Sequence, residues 1–375
     1  MSGTVSLEEF NAGFHEEPGY LDFARFGPLS DAVLQEHRVQ SELLSTARFG
    51  SIDLVFDQDE RVRSAAAQLL GLPTDQVAFQ PNTSMGLMHA MFGMTGVVAM
   101  SPAEFPSITY AASRAADALG RLSVRWLQPD GGRVTPGTLR DQLDDDVTAV
   151  AVSLVDFRTG YVADLEGIRQ VIGDRLLLVD AIQGFTVVDA PWQLADVIVS
   201  GGQKWVRAGH GTGMLALSER AADQLVPVLS GWMADDSIMP LDEVREAPAG
   251  AAAFRISHPS SRAQAGFAAA LESVAGVGVD AISQAIADRV DEVIALADEF
   301  GVAVVSPRER AERAGIVVLD AGEENATVLA AALFNHGVTV TTRGGVARLS
   351  VHSSTDDDTV SLLRTALTSY RTAAN

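Results

Sequence analysis

Two charged residues in the middle of the chain, Asp180 and Lys204, each come shortly after a short apolar run. The runs are residues 176–179 (LLLV) and 197–199 (VIV). Uncharged runs of Val, Ile and Leu are typical of buried parallel strands, and open α/β sheets bind ligands beyond the carboxyl ends of such strands. We therefore expect both side chains to face one crevice. The alternative is a salt bridge that closes the sheet edge.

The sequence around Lys204 is rich in glycine, which lets the backbone approach a ligand closely. These glycines are Gly201, Gly202, Gly209, Gly211 and Gly213. A lysine in a desolvated pocket loses its proton readily and can form a Schiff base with an aldehyde. A partner carboxylate can keep a pyridine nitrogen protonated, which makes the ring an electron sink. Asp180 and Lys204 together therefore predict a site for pyridoxal 5′-phosphate (PLP).

Two further segments place functional residue types just after predicted strands. Thr83 and Ser84 lie between a strand at 76–80 and an apolar helix at 87–92. Free N–H groups and the dipole at a helix start can bind an anion; the alternative is an ordinary helix cap. Phe105 follows a strand at 97–100 and can stack on a flat ring; the alternative is a core phenylalanine.

Arg348 lies inside an otherwise apolar strand, residues 346–352. A buried arginine needs an anion, because an unpaired buried charge is costly, and a planar guanidinium binds a carboxylate through two hydrogen bonds. The sequence therefore favours a carboxylate-binding role for Arg348, with Arg343 as a weaker neighbour. The alternative is a structural salt bridge.

Residues 180–183 (DAIQ) and 200–205 (SGGQKW) resemble motifs of the class V aminotransferases, a group of fold-type I PLP-dependent enzymes. The group includes aminotransferases, cysteine desulfurases, kynureninases and isopenicillin epimerase-like proteins. The resemblance extends over nearly the whole chain. It implies an α/β fold, with a large domain built on a mainly parallel seven-stranded sheet and a small C-terminal α+β domain. It also implies PLP as the cofactor, an amino acid as the substrate, and a homodimer in which two subunits build each active site.

The resemblance also implies roles for single residues. It places PLP on Lys204, the ring nitrogen against Asp180, the phosphate at Thr83 and Ser84, and the ring under Phe105. It implies that Gln183 binds the ring oxygen of the cofactor. Arg348 matches the arginine of the family's Arg-x-Ser motif, which holds the α-carboxylate of the substrate.

Four residues depart from the family pattern. Arg25 stands where a small residue is expected, in a segment that lines the mouth of the active site; there it either alters substrate choice or points away. Asp156 replaces an asparagine in the loop near the ring hydroxyl, so that a donor amide becomes an acceptor-only carboxylate. Gln203 stands where relatives have a phosphate-binding histidine or tyrosine, and glutamine can still donate to a phosphate. His258 replaces a threonine that reaches the phosphate of the neighbouring subunit; the alternative is a surface histidine.

The composition narrows the class of protein. The chain has 375 residues with a formal net charge of −22, which argues against nucleic acid and anionic membranes as partners. The absence of cysteine excludes disulfides, zinc–thiolate sites and thiol nucleophiles. The seven histidines show no metal-ligand spacing, so we expect no metal site. The first residues lack a signal-peptide pattern, and we expect a cytoplasmic protein.

Apolar spacing predicts the organisation of the chain. We expect helices at 30–46 and 57–70, an irregular loop at 225–250, and a long helical region at 264–300 that breaks near Val277. The large PLP-binding domain should span 20–248, and the small domain should combine 1–19 with 249–375.

Transamination, β-elimination, racemisation and hydrolytic side-chain cleavage all follow removal of the α-proton, and all need the same predicted active-site residues. Without a cysteine, the persulfide route of desulfurases is excluded. Phe105 and residues 158–160 (RTG) favour a kynureninase-like reaction, whereas Gln183 stands where a histidine is expected. The sequence narrowly favours an aminotransferase, followed by a PLP-dependent lyase or a racemase. A non-catalytic PLP-fold binding protein is disfavoured, because a site without activity does not require Asp180, Lys204 and Arg348 together.

Overall fold

The computed structural model describes residues 5–234 and 243–374, so the predicted loop at 225–250 lies partly outside the described residues. The apolar runs form a seven-stranded sheet in the order β1-β7-β6-β5-β4-β2-β3. Its strands are β1 Val77–Phe79, β2 Gly96–Met100, β3 Leu122–Trp126, β4 Val147–Ser153, β5 Leu176–Asp180, β6 Val197–Gly201 and β7 Gly213–Leu217. Neighbouring strands run parallel except for β7, which is antiparallel to β6 and β1. The predicted mainly parallel seven-stranded sheet is confirmed.

Both faces of this sheet are buried. On β5, Leu177 and Val179 belong to one apolar cluster, whereas Leu176 and Leu178 belong to another on the opposite face. This arrangement follows from the alternation of side chains along a strand. In the central strands β5 and β6 neither face meets water, so both carry continuous apolar runs, with polar residues at their carboxyl ends.

Helices cover the two sheets and join their strands. They are α1 Leu7–Ala12, α2 Asp31–Thr46, α3 Ser51–Phe56, α4 Gln58–Leu70, α5 Thr83–Gly93, α6 Pro106–Leu119, α7 Pro136–Gln142, α8 Leu165–Ile172, α9 Glu219–Gln224, α10 Ser261–Val277, α11 Val279–Phe300, α12 Ala326–Asn335 and α13 Asp357–Ala374. The predicted break in the long helical region lies at Gly278, where φ is +90° and the two helices meet at 83°. Among the described residues no single helix is both long and apolar enough to cross a membrane.

A second, antiparallel sheet has the order β10-β11-β9-β8. Its strands are β8 Ala303–Val304, β9 Ile316–Asp320, β10 Thr341–Arg343 and β11 Val346–Ser350. Helices α11 and α12 pack against it, and α13 packs against these two helices. The two sheets fit a large α/β unit and a small α+β unit, while the boundaries at residues 20 and 248 stay a prediction.

The segment before α2 links the two sheets. Asp22 forms an isolated bridge with Ser350 at the end of β11, and the Oγ of Ser350 accepts a hydrogen bond from the Ala24 N–H (2.9 Å). The Gly27 N–H donates to the carbonyl of Gln203 (2.9 Å). A Cβ at Gly27 would lie 2.0 Å from the carbonyl oxygen of Lys204, so only glycine allows this close approach.

Candidate active site

Asp180 and Lys204 meet at one edge of the seven-stranded sheet. Asp180 ends β5, which pairs in parallel with β6, and Lys204 follows β6 by three residues. Both side chains are buried, and each charge acts on the pKa of the other group. The expectation that the two residues share a crevice is supported by this arrangement.

The Asp180 carboxylate has one satisfied oxygen and one unsatisfied oxygen. Oδ1 accepts a hydrogen bond from the Ile182 N–H (3.1 Å), whereas Oδ2 is buried without a hydrogen-bond partner. Burial raises the pKa of Asp180 to about 6, against the opposing effects of the Ile182 N–H and the charge of Lys204. An orphaned buried carboxylate oxygen is costly unless a ligand donates to it.

Lys204 has the properties of an amine that can act as a base near neutral pH. Burial lowers its pKa to about 8; the charge of Asp180 opposes this shift, that of Arg348 adds to it, and that of Asp22 opposes it. Nζ lies 5.3 Å from the centroid of the Phe105 ring. Phe105 precedes α6 after β2, and its ring meets Phe157 edge-on, with 5.1 Å between centroids. Phe105 therefore borders the same space as the lysine amine.

Glu104, the residue before Phe105, is a part of this site that sequence reasoning missed. Ser153, the last residue of β4, pairs with Asp180 in the sheet register, and its Oγ donates to Glu104 Oε2 (2.5 Å). Burial raises the pKa of Glu104 to about 7; the hydrogen bonds from Ser153 oppose the shift, and Asp180 and Asp156 add to it. A carboxyl two residues past a loop proline has no sequence signal of its own, because its pKa depends on neighbours from other strands.

A small cradle lies where Thr83 and Gln203 approach Gly201. A Cβ on Gly201 would lie 2.5 Å from Gln203 Oε1 and 2.7 Å from Thr83 Oγ1, so both polar groups approach bare backbone. Thr83 Oγ1 is buried without a hydrogen-bond partner at the first turn of α5. Helix starts with free donors bind anions. Ser84 lies one residue further on, exposed, in a hydrogen bond with Ser107 Oγ at the start of α6 (2.8 Å).

Arg348 approaches the site from β11 of the second sheet. Nη1 donates to the carbonyl of Phe157 (3.0 Å), and Nη2 lies 3.7 Å from Asp22 Oδ1. Its Nε is buried without a hydrogen-bond partner. The charge of Arg348 adds to the shift that lowers the pKa of Lys204.

Gln183 and Asp156 already have partners within the protein. Gln183 Oε1 accepts from the Trp205 indole N–H (2.7 Å), and its Nε2 donates to the Ala24 carbonyl (2.9 Å). Asp156 accepts hydrogen bonds from the backbone of Arg158 and pairs with the Arg158 guanidinium (2.6 Å). These contacts fix the local loops, and the cofactor contacts expected of both residues stay predictions.

Three other predicted residues lie at the periphery. His258 is exposed; its ring stacks on Phe56 (4.7 Å between centroids) and meets Trp232 edge-on (4.9 Å). Arg25 lies beside Asp22, with Nη1 3.9 Å from Oδ2. Arg343 is exposed on β10. The geometry therefore brings Arg25 to the Arg348 side of the crevice and leaves His258 and Arg343 outside it.

Comparison with known proteins identifies the class of protein. The sequence model described as Aminotransferase class-V matches residues 53–375, and the chain belongs to this family. Kynureninase from Deinococcus radiodurans is 28% identical over 268 residues, which cover 68% of this chain and 64% of that protein. The match thus spans just under two thirds of that relative.

Two further comparisons cover more of the chain. The uncharacterized aminotransferase YcbU of Bacillus subtilis is 23% identical over 304 residues, or 79% of each protein. A solved structure of C-DES, a mutant with glycine covalently linked to its PLP cofactor, matches with a TM-score of 0.86 at 18% identity, covering 97% of this chain and 99% of that one. The structural match establishes a fold-type I PLP enzyme fold.

The described residues fit the cofactor of this family. Asp180 Oδ2 is an unpaired buried acceptor for a ring N–H, and Thr83 Oγ1 is an unpaired buried hydroxyl beside the helix start for a phosphate. Lys204 supplies the amine and Phe105 the flat apolar surface beside it. The chain is a PLP-dependent class V enzyme.

Proposed function

We propose that this enzyme binds an α-amino acid through Arg348, removes its α-proton with Lys204, and cleaves a bond in its side chain. The observation that carries the proposal is the convergence of a buried lysine, a buried carboxylate with a free oxygen, and an arginine with a free buried N–H. Each of these groups is costly to bury alone, and each is satisfied by a different part of such a substrate–cofactor pair.

Each side chain has a defined task in this proposal. Arg348 holds the α-carboxylate, with its remaining N–H groups fixed by the Phe157 carbonyl and Asp22. Lys204, with its pKa lowered to about 8, is partly neutral near pH 7.5 and can take a proton. Asp180 keeps its negative charge opposite the ring nitrogen. When bound, PLP supplies the electron sink that makes the α-proton removable.

We place side-chain cleavage, a lyase reaction, first for two reasons. Among the relatives above, the kynureninase has the highest identity to this chain. In addition, Phe105 and residues 158–160 of this chain resemble the corresponding kynureninase motifs. Transamination is the second candidate, supported by the family's description and by the relative YcbU. The sequence narrowly favoured transamination, and both outcomes use the same first-step residues. We also propose that the enzyme is a homodimer.

Replacing Lys204 with alanine should abolish turnover, with a fall in kcat of roughly a thousandfold or more, because the base is removed. Binding of PLP should weaken but remain measurable through the phosphate cradle. The experiment measures PLP binding by fluorescence titration and turnover with an amino-acid panel. Turnover near that of the wild type would refute the assignment of Lys204.

Analysis of the products distinguishes the two reactions. Side-chain cleavage releases the side-chain fragment and regenerates the cofactor; the rest of the substrate leaves as alanine after hydrolytic cleavage, or as pyruvate and ammonia after β-elimination. A transaminase converts one equivalent of amino acid to its keto acid, keeps the amino group in the enzyme, and stops without a second substrate. Single-turnover mixtures of holoenzyme and amino acid, analysed for alanine, keto acid and ammonia, test the order given above. A stoichiometric keto acid without ammonia would place transamination first.

A further inference from the structure

Asp22 lies between two guanidinium groups at the mouth of the crevice. It is 2% exposed, and its Oδ1 accepts a hydrogen bond from Thr341 Oγ1 (2.8 Å) and lies 3.7 Å from Arg348 Nη2. Its other oxygen, Oδ2, lies 3.9 Å from Arg25 Nη1. Each oxygen of this one buried carboxylate therefore lies near a different arginine.

The two arginines differ in how firmly they are held. The Arg348 side chain is mostly buried and bonded to the Phe157 carbonyl, whereas 77% of the Arg25 side chain is exposed. At 3.9 Å the Arg25–Asp22 contact is at the long end of an ion pair, and exposed pairs of this kind contribute little energy. Arg25 can therefore leave Asp22 at low cost when another anion arrives.

The cluster belongs to the active site. The charges of Arg348 and Asp22 act on the pKa of Lys204, and the charge of Arg25 acts on both Asp22 and Arg348. The Nε of Arg348 is a buried donor without a hydrogen-bond partner, which a bound anion can satisfy. An α-carboxylate at Arg348 leaves Arg25 as an exposed cation next to it, at the solvent side of the bound substrate.

We propose that the substrate is an amino acid whose side chain carries a second anionic group, and that Arg25 binds this group while Arg348 binds the α-carboxylate. The inference rests on the proposed function, since it assigns the α-carboxylate to Arg348. A dicarboxylic amino acid places its two carboxylates a few ångströms apart, on the scale of two cations that flank one carboxylate. Burial also raises the pKa of Asp22, so Asp22 can take up a proton when a second anion binds nearby.

The kynureninase relative suggests the competing class, an amino acid with an aromatic side chain. An exposed guanidinium can stack on an aromatic ring, but it gains a charge-assisted hydrogen bond only from an anion. Removal of the charge at Arg25 should therefore weaken the use of an anionic side chain more than that of an aromatic one, and one set of variants distinguishes the two classes.

The test compares wild-type holoenzyme with Arg25→Gln and Arg25→Lys. We expect Arg25→Gln to lower the ratio of kcat/KM for L-aspartate or L-glutamate over L-alanine by roughly tenfold to a hundredfold, the size of one lost charged hydrogen bond. Arg25→Lys should restore part of the ratio. Arg308→Gln is the control, since Arg308 is an exposed arginine paired with Asp298 in the small unit.

A binding measurement separates this inference from the proposed function. Succinate carries two carboxylates but no amine, so it cannot react. Titration calorimetry with the holoenzyme therefore measures the affinity that the two arginines provide for a dicarboxylate. We expect succinate to bind more tightly than propionate, with the difference lost in Arg25→Gln. Equal binding of both acids, or an unchanged substrate ratio in Arg25→Gln, overturns the inference. A panel in which no amino acid reacts overturns the proposed function, while the succinate result still decides the role of Arg25.

Discussion

Glu104 illustrates how a residue can belong to a site through its neighbours alone. Its carboxyl shares the end of the sheet with Asp180, through Ser153, and both carboxyls have raised pKa values because of burial. Two adjacent acids in such surroundings disfavour simultaneous ionisation. Glu104 therefore carries its proton up to a pH at which an ordinary glutamate is fully charged.

Glu104→Gln should make the apoprotein more stable than the wild type at pH 8, by about 1–3 kcal/mol. In the wild type the pKa rises from 4.5 in the unfolded chain to about 7 in the folded protein. Stability from this group is thus complete below pH 4.5 and is lost as the pH rises through 7. Glutamine does not ionise, so the variant does not lose this stability at high pH.

Urea unfolding of the cofactor-free protein at pH 5 and pH 8 measures the effect. The stability difference between variant and wild type should be larger at pH 8 than at pH 5. Glu272→Gln, an exposed glutamate paired with Arg61, provides the control, in which the difference should stay small at both pH values. A difference for Glu104→Gln that does not change with pH would contradict the raised pKa.

Residues with a strong local pattern could be predicted from the sequence. Asp180 and Lys204 follow apolar strands, and Arg348 interrupts one, so each stood out before the fold was known. Asp22 and Glu104 could not be recognised, because their burial arises from contacts with β11 and β4, far away along the chain. For the same reason the sequence could not show that Gln183 is bonded to Trp205 and the Ala24 carbonyl.

At the scale of elements, the segment before α2 holds the lysine loop in place through Gly27. Gly27→Ala should weaken both the fold and PLP binding, because a methyl group would collide with the Lys204 carbonyl oxygen 2.0 Å away. Overpacking of this kind costs about 1–3 kcal/mol. We expect a lower melting temperature and a higher Kd for PLP.

Gly13→Ala is a matched control, since the nearest atom to a Cβ there is 3.4 Å away. Differential scanning fluorimetry and a PLP titration of both variants make the comparison. A Gly27→Ala protein that binds PLP as tightly as the wild type would show that this close approach does not shape the site.

The elements themselves were largely predictable, because apolar periodicity decides buried strands and helices. The helix predicted at 57–70 corresponds to α4, and the helix predicted at 87–92 begins earlier, at Thr83, because Asn82 caps it. Helix α3 was not predicted. Most of its large apolar side chains face outward, and exposed apolar residues carry no periodic core signal.

At the scale of the whole molecule, α3 and three other short segments expose large apolar side chains. These are Phe49, Ile52, Leu54, Phe56, Trp232 and Ile256. The His258 ring contacts both Phe56 and Trp232, so part of this set is contiguous. Exposed apolar patches mark interaction surfaces.

We expect this patch to lie in the proposed homodimer interface. Phe56→Glu should shift the protein from dimer to monomer in sedimentation velocity, because each interface would bury two new carboxylates. Phe334→Glu changes an exposed phenylalanine on α12 in the same way and should leave the dimer intact. A Phe56→Glu protein that remains dimeric would show that the dimer interface lies elsewhere.

The hydrogen bond between Ala24 and Ser350 joins residues 326 positions apart. A chain emerging from the ribosome makes the seven-stranded sheet, with Asp180 and Lys204, well before it makes β11. Synthesis therefore completes the residues expected to hold the coenzyme before it reaches Arg348 and Ser350, the two partners of Asp22 on β11.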